Sequence, residues 1–224
     1  MSTLNLSPQL DEWILIVCLM QRSQQSFEDA HPHLMSILKE DFDIRTMNRP
    51  HQILKHLEDS PDRETPLPDA VFLVDKGPLL AIHHPLWDGI LEYVRKGGLC
   101  ITMGDFSLCK HIDDAFFVRA GLPWRMGRRH RMRVTLNQGA ADAFLDGDLE
   151  QFYEMEGKSI RNDGLGDRLY NTLPMEKDKP SLPGETTVAM GRVGDGWLGY
   201  VGDINLEKES CYVIYGMCVF MGYI

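Results

Sequence analysis

The stretch Lys96-Gly97-Gly98-Leu99-Cys100-Ile101-Thr102-Met103-Gly104-Asp105-Phe106-Ser107 constrains the fold more than any other part of the chain. A glycine pair ends a helix, a short apolar run makes a buried strand, and a further glycine permits a sharp turn. In an open α/β sheet such a turn lies beyond the carboxyl ends of the strands, where ligands bind. A nucleophile elbow would place Cys or Ser at its tip. Here the tip is Gly104-Asp105, so the pattern favours the fold and disfavours the nucleophile chemistry that the fold often carries.

The preceding segments repeat a strand–helix rhythm. Trp13 to Met20 is a continuous apolar run, followed by Leu34, Ile37 and Leu38 at helical spacing. Asp41 to Met47 alternates, and Pro50 then opens a helix bearing Ile53, Leu54 and Leu57. Asp59 to Pro68 is a polar loop, and Ala70 to Val74 a third strand. Pro85 opens a helix whose apolar stripe is Leu86, Ile90, Leu91 and Val94. Three such units in a row predict right-handed crossovers in a parallel sheet with helices on both faces.

Beyond Ser107 the rhythm changes. Arg131 to Leu136 alternates like a half-exposed strand, and 154–185 reads as a long loop insertion marked by Pro174, Pro180 and Pro183. Thr186–Val193 and Trp197–Val201 flank Gly194-Asp195-Gly196, a hairpin signal, and Cys211–Phe220 reads as a closing helix. The expected fold is a three-layer α/β/α domain over residues 1–224, with a central, mostly parallel, flavodoxin-like sheet and a late β-hairpin. Gly194 to Gly199 fits G-x-G-x-x-G, but a strand on each side of the turn removes the helix N-terminus that a dinucleotide needs.

Bulk properties narrow the function classes. A net charge of −10 opposes nonspecific attraction to nucleic acid and anionic membranes. The longest apolar run is too short to span a bilayer. Five cysteines at irregular spacing, without a CxxC pair, fit reduced thiols in the cytoplasm. No basic, apolar leader is visible at the N-terminus. Histidine spacings give no metal site: His83-His84 are adjacent, His31-x-His33 lacks a third ligand, and His51 and His56 are five apart. No cofactor is expected either.

Three segments together resemble one known family. They are Gly97-Gly98-Leu99-Cys100-Ile101, then Gly121-Leu122-Pro123-Trp124 with His130-Arg131, and Val193 through Asn205. The order of units and these motifs are similar to the class I glutamine amidotransferase-like fold family, in particular its trehalose-utilisation-like (ThuA-like) branch and related uncharacterised fungal proteins. True amidotransferases of this fold carry an elbow Cys and a late His-x-Glu pair. This chain has no Cys at 103–106 and no His after His130, so it cannot form or resolve the glutamine thioester.

The remaining strand ends deliver a different set of groups. Asp75-Lys76, Gly104-Asp105-Phe106 and Asp203-Ile204-Asn205 are expected to converge, together with Arg22. Carboxylates in a cleft can divide acid and base roles, because burial and like charge separate their pKa values. Asp105, Asp203 and His130 are the catalytic candidates. Asp75, Lys76, Gly104, Phe106, Trp124, Arg131 and Asn205 are the candidates for binding a small polar or anionic ligand. The competing reading makes each Asp a helix or turn cap.

The implied activity is acid–base chemistry of the lyase, isomerase or hydrolase kind without a Cys nucleophile. The alternatives are a non-catalytic interaction module with a vestigial cleft, and a hydrolase using Ser107 or Cys109. The segment Arg125 to Arg133 carries five arginines in nine residues. Its expected use is pairing with acidic residues, within the chain or across a homodimer, or simple solvation. No aromatic interleaving supports nucleic-acid binding.

Overall fold

The computed structural model describes residues 12–20, 25–58, 66–109, 114–139, 149–162, 166–173 and 184–221. Its first strand, β1 (Trp13–Val17), is buried at every position, as its unbroken apolar sequence requires. Alternation along β1 divides the core. Ile14 and Ile16 pack with Phe27 of α1 (Gln25–Ala30), with Leu34 and Leu38 of α2 (Pro32–Leu38), and with Ile214 of the closing helix α6 (Lys208–Met221). Trp13, Leu15 and Val17 pack with Ile53 of α3 (Pro50–Leu57), Ile90 of α4 (His84–Arg95) and Phe117 of α5 (Asp114–Arg119). Helices therefore cover both faces of this part of the sheet.

All ten strands join one sheet. In spatial order they are β2 (Asp43–Met47), β1, β3 (Ala70–Leu73), β4 (Leu99–Thr102), β10 (Gly196–Val201), β9 (Val188–Val193), β7 (Arg168–Leu173), β5 (Arg125–Leu136), β6 (Phe152–Arg161) and β8 (Glu185–Thr186). The first five run parallel, in the doubly wound order 2-1-3-4 followed by the last strand. Every later pairing is antiparallel.

Two expectations are corrected here. The sheet is an even mixture rather than mostly parallel, because the long half-exposed strand β5 finds antiparallel partners on both sides. Residues 154–185 are also not one loop: most of β6 and all of β7 lie within them. Charged residues between Tyr153, Met155 and Ile160 hid the apolar face of β6 from a reading that weighted the prolines of 174–183. Those prolines, and residues 59–65 of the expected polar loop, lie outside the described residues.

The antiparallel half curls back on itself. Past β10, Gly202 accepts from the Lys158 amide at 2.9 Å and the Ile204 amide donates to Glu156 at 3.1 Å. Asp203 thereby bridges to Gly157. Strands β10, β9, β7, β5 and β6 close a ring beside the parallel half.

The glycine signals hold in detail. After α4, the Gly97 amide bonds to Val94 O at 3.0 Å and the Gly98 amide to Tyr93 O at 3.1 Å, with Gly97 left-handed at φ +111°. This is a Schellman closure. The turn between β9 and β10 has Gly194 left-handed at φ +63°, where a type II′ hairpin turn takes glycine. Turn dihedrals do not explain Gly196, however. A Cβ there would sit far inside van der Waals contact of Val94 O and Gly98 O, and the neighbouring Asp195 amide bonds to Arg95 O at 3.0 Å. The hairpin turn is seated on the end of α4.

This contrast sets a stability prediction. Gly196→Ala forces backbone against backbone and should cost about 3 kcal/mol or more. Gly97→Ala meets no neighbouring atom within 4 Å and should cost only the left-handed backbone penalty, about 1 kcal/mol. Urea unfolding of both variants checks the order.

Candidate functional site

The loops leaving β1, β3 and β4 meet at the carboxyl edge of the parallel half, beside the point where the strand order reverses. Asp75, just past β3, is buried there. One carboxylate oxygen accepts the Met20 amide and the other the Gly77 amide, each at 2.7 Å. Asp75 thus ties the outgoing loop of β1 to the turn after β3. Lys76 beside it is exposed. Arg22 lies outside the described residues.

The turn after β4 is a single 3₁₀ turn over Gly104–Phe106. Gly104 is left-handed at φ +61° and buried, and a Cβ there would meet the Phe27 ring and Val74 O only at ordinary contact distance. Phe106 is fully buried, its ring centroid 5.1 Å from that of Phe116. With both neighbours packed inward, Asp105 is the residue of the turn that faces out.

The charge of Asp105 acts on His31, with no hydrogen bond or ion pair between the two side chains. The His31 imidazole lies 4.7 Å from the Phe27 ring and is half-buried. Burial pulls the His31 pKa down, and the charge of Asp105 pushes it back up. His31 occupies the break between α1 and α2 with φ −126°, non-helical because Pro32 follows. Sequence reasoning weighed His31 only as a metal ligand. The available signal was the His-Pro pair at the first helix junction after β1, on the ligand-binding edge of the sheet.

Asp203 follows β10, the parallel neighbour of β4, and shares a lateral row with His130. His130 on β5 faces Gly157 on β6, and Gly157 bridges on its other side to Asp203. Asp203 is fully buried and its oxygens are occupied. It accepts from the Asn205 amide at 3.0 Å, the Glu207 amide at 2.8 Å and the Ser210 hydroxyl at 2.7 Å, closing the turn into α6. Burial raises its pKa, while these donors lower it. Exposed Asn205 serves the same turn, its side chain reaching Glu207. The His130 Nδ1 is buried without a hydrogen-bond partner.

Packing defines the surroundings of three binding candidates. Trp124 is fully buried, edge-on to Phe117 at 5.4 Å, with Nε1 donating to Asp167, so it is a core residue. Phe106 belongs to the same aromatic core and does not line the edge. Arg131 lies on the solvent face of β5, 73% exposed and 3.4 Å from Glu154. Arg129 pairs with Glu156 at 2.6 Å and Arg133 with Glu154 at 2.7 Å, so this arginine row is paired with the adjacent strand. Ser107 is buried too, its hydroxyl donating to Val201 O at 3.2 Å, which removes it as a free nucleophile. Among the described residues no group of three or more His, Cys, Asp or Glu side chains could hold a metal ion, and no helix is long and apolar enough to cross a membrane.

No family model matches the chain, and no curated protein matches it. Solved structures do. A putative ThuA-like protein from Parabacteroides merdae is 12% identical with a TM-score of 0.57, over 94% of this chain and 90% of that one. A second, from Bacteroides uniformis, is 10% identical with a TM-score of 0.59, over 95% and 92%. A β-galactosidase from Bacillus circulans matches 95% of this chain over only 31% of its own length, at 14% identity and a TM-score of 0.56. At such identities the likeness shows the fold alone: this chain shares the α/β fold of those structures.

The buried carboxylate of Asp203 generates a prediction. Asp203→Ala strands two amides and a buried hydroxyl and should cost about 3 kcal/mol. Because the folded-state pKa is raised, the native protein holds this proton more tightly than the unfolded chain. Its contribution to stability is full below the ordinary carboxylate range and fades as pH rises through the raised value. The stability difference between the native protein and Asp203→Asn should therefore shrink as pH rises through that window in urea titrations.

Proposed function

We propose that the protein binds a small polar or anionic metabolite at the carboxyl edge of its parallel strands, and that Asp105 and His31 there act as an acid–base pair. The observation that carries this reading is the 3₁₀ turn after β4, whose buried neighbours leave the Asp105 carboxylate facing outward, where its charge acts on the half-buried His31. Histidine changes charge near neutral pH, and a facing carboxylate orients it and stabilises its protonated form. Lys76, exposed next to Asp75, is a cation available at this edge for an anionic ligand. Gly104 lets the backbone approach a ligand closely, and Asp75 holds the floor by tying two loops together.

The chemistry is not that of a glutamine amidotransferase, since the elbow Cys and the late His-x-Glu are missing from the sequence. In this reading Asp203 shapes the turn into α6 rather than meeting the ligand, because its oxygens already accept three bonds. The five free cysteines, four of them buried, fit a reducing cytoplasmic setting.

The pair is tested in two steps. First, Asp105→Asn removes the charge that raises the His31 pKa, so the His31 titration followed by NMR should move further down. No movement would separate the two groups and sink the acid–base proposal. Second, a metabolite library is screened by thermal shift. A ligand at a hundredfold excess over its Kd adds about 2.7 kcal/mol of stability, or about 5–10 °C in a chain of this size. That gain should vanish in both Asp105→Asn and His31→Gln, and a hit retained by both would place binding elsewhere.

A further inference from the structure

We propose that Cys109 and Lys158 form an oxidation-responsive pair, in which peroxide joins the Cys109 sulfur to the Lys158 nitrogen. This inference is independent of the ligand-binding reading and starts from which thiols an oxidant can reach. None of the five cysteines is in a disulfide, and Cys18, Cys100, Cys211 and Cys218 are buried. Burial pushes the Cys211 thiol up to about 12 and raises Cys100 and Cys218 as well. Since the thiolate is the reactive form, these thiols are inert. Cys109, partly exposed at the end of the turn after β4, is the one left for peroxide.

Lys158 is placed on that same residue. It projects from β6, and its Nζ donates to the Cys109 carbonyl oxygen at 2.7 Å. Its main chain is pinned on both sides: the amide donates to Gly202 O at 2.9 Å, and the carbonyl accepts from the Tyr200 hydroxyl at 2.8 Å. The amine is thus held over Cys109 by a fixed strand. The Cys109 Sγ is four bonds from the oxygen that the amine already touches, and rotation about Cα–Cβ is the motion by which the sulfur would reach the nitrogen. Partial burial also lowers the Lys158 pKa, which increases the neutral, nucleophilic fraction of the amine.

The steps balance. Hydrogen peroxide oxidises the thiol to a sulfenic acid, its O–O bond breaking with release of one water. The neutral Lys158 amine then attacks the sulfenic sulfur. An S–N bond forms, the S–O bond breaks, and the hydroxide leaves with an amine proton as a second water. The product is a sulfenamide two hydrogen atoms lighter than the reduced protein. An added thiol reverses it: its thiolate attacks the sulfur and frees the amine, and a second thiol reduces the resulting mixed disulfide. With the other four thiols buried, the sulfenic acid has an amine at hand and no accessible cysteine. The bond ties the turn that carries Asp105 to the antiparallel ring.

The competing role for Lys158 is simply to satisfy a turn carbonyl, and the experiment separates the two. The reduced full chain is treated with excess hydrogen peroxide, with and without dimedone, and digested for mass spectrometry. A linked peptide joining Cys109 and Lys158, two hydrogens light and split by dithiothreitol, is expected. It should be absent from Cys109→Ser and Lys158→Arg. Lys158→Arg keeps the cation and the carbonyl bond but lacks the nucleophilic amine, so it should instead accumulate dimedone-labelled Cys109 several-fold over the native chain. Equal dimedone labelling in the native chain and Lys158→Arg, with no linked peptide, overturns the proposal.

Discussion

Strand β10 is the constraint on which the two halves of the molecule depend. It runs parallel to β4 on one side and antiparallel to β9 on the other, and its continuation returns to β6. A strand with two such neighbours can start only where both allow it. That start is fixed by Gly196, whose missing Cβ admits the carbonyls of Val94 and Gly98, and by the Trp197 amide on Gly98 O. The Schellman end of α4 and the hairpin turn are therefore one junction, built from four glycines, Gly97, Gly98, Gly194 and Gly196, in two distant parts of the sequence. A slip there would move the Gly104 turn and the Asp203 turn together, because β4 and β10 deliver them in register.

The aromatic core behind the edge does comparable work for the candidate site. Trp87 stacks on Phe116 at 4.0 Å, and Phe106, Phe117, Trp124 and Tyr200 extend the cluster to β10. Burying Phe106 in this cluster fixes the 3₁₀ turn, and fixing the turn leaves Asp105 to face outward. Burial of one side chain sets the direction of its neighbour, so packing acts here as a positioning device.

Much of the fold was legible because its signals were local. The apolar run of β1, the prolines opening α3 and α4, the Gly97-Gly98 helix end and the hairpin at Gly194 each announce themselves within a few residues. The antiparallel ring was not, because β6 intersperses apolar with charged residues, β7 is a short strand with polar residues at Asn171 and Thr172, and the meaning of both rests on partners far along the chain. The arginine row was legible as a paired face, but its partners Glu154 and Glu156 fell within a stretch read as loop. At the site, Asp105 could be placed because its strand could be placed. His31 could not, since its approach to Asp105 depends on how α1 and α2 pack beneath the β4 turn.

The three strand-end aspartates show why sequence position alone does not identify a reactive carboxylate. Asp75, Asp105 and Asp203 all follow a strand, and all could act as caps or as acids. What separates them is the supply of amide donors. The turns after β3 and β10 leave amides free beside Asp75 and Asp203, which become saturated acceptors inside the protein. In the 3₁₀ turn after β4, the amides of Phe106, Ser107 and Leu108 are already spent on Met103, Gly104 and Asp105 carbonyls. The Asp105 carboxylate therefore accepts no hydrogen bond among the described residues and keeps its acceptor capacity unspent. An unsaturated carboxylate beside a half-buried imidazole can exchange a proton or hold a donor. A saturated one can only hold the chain in place.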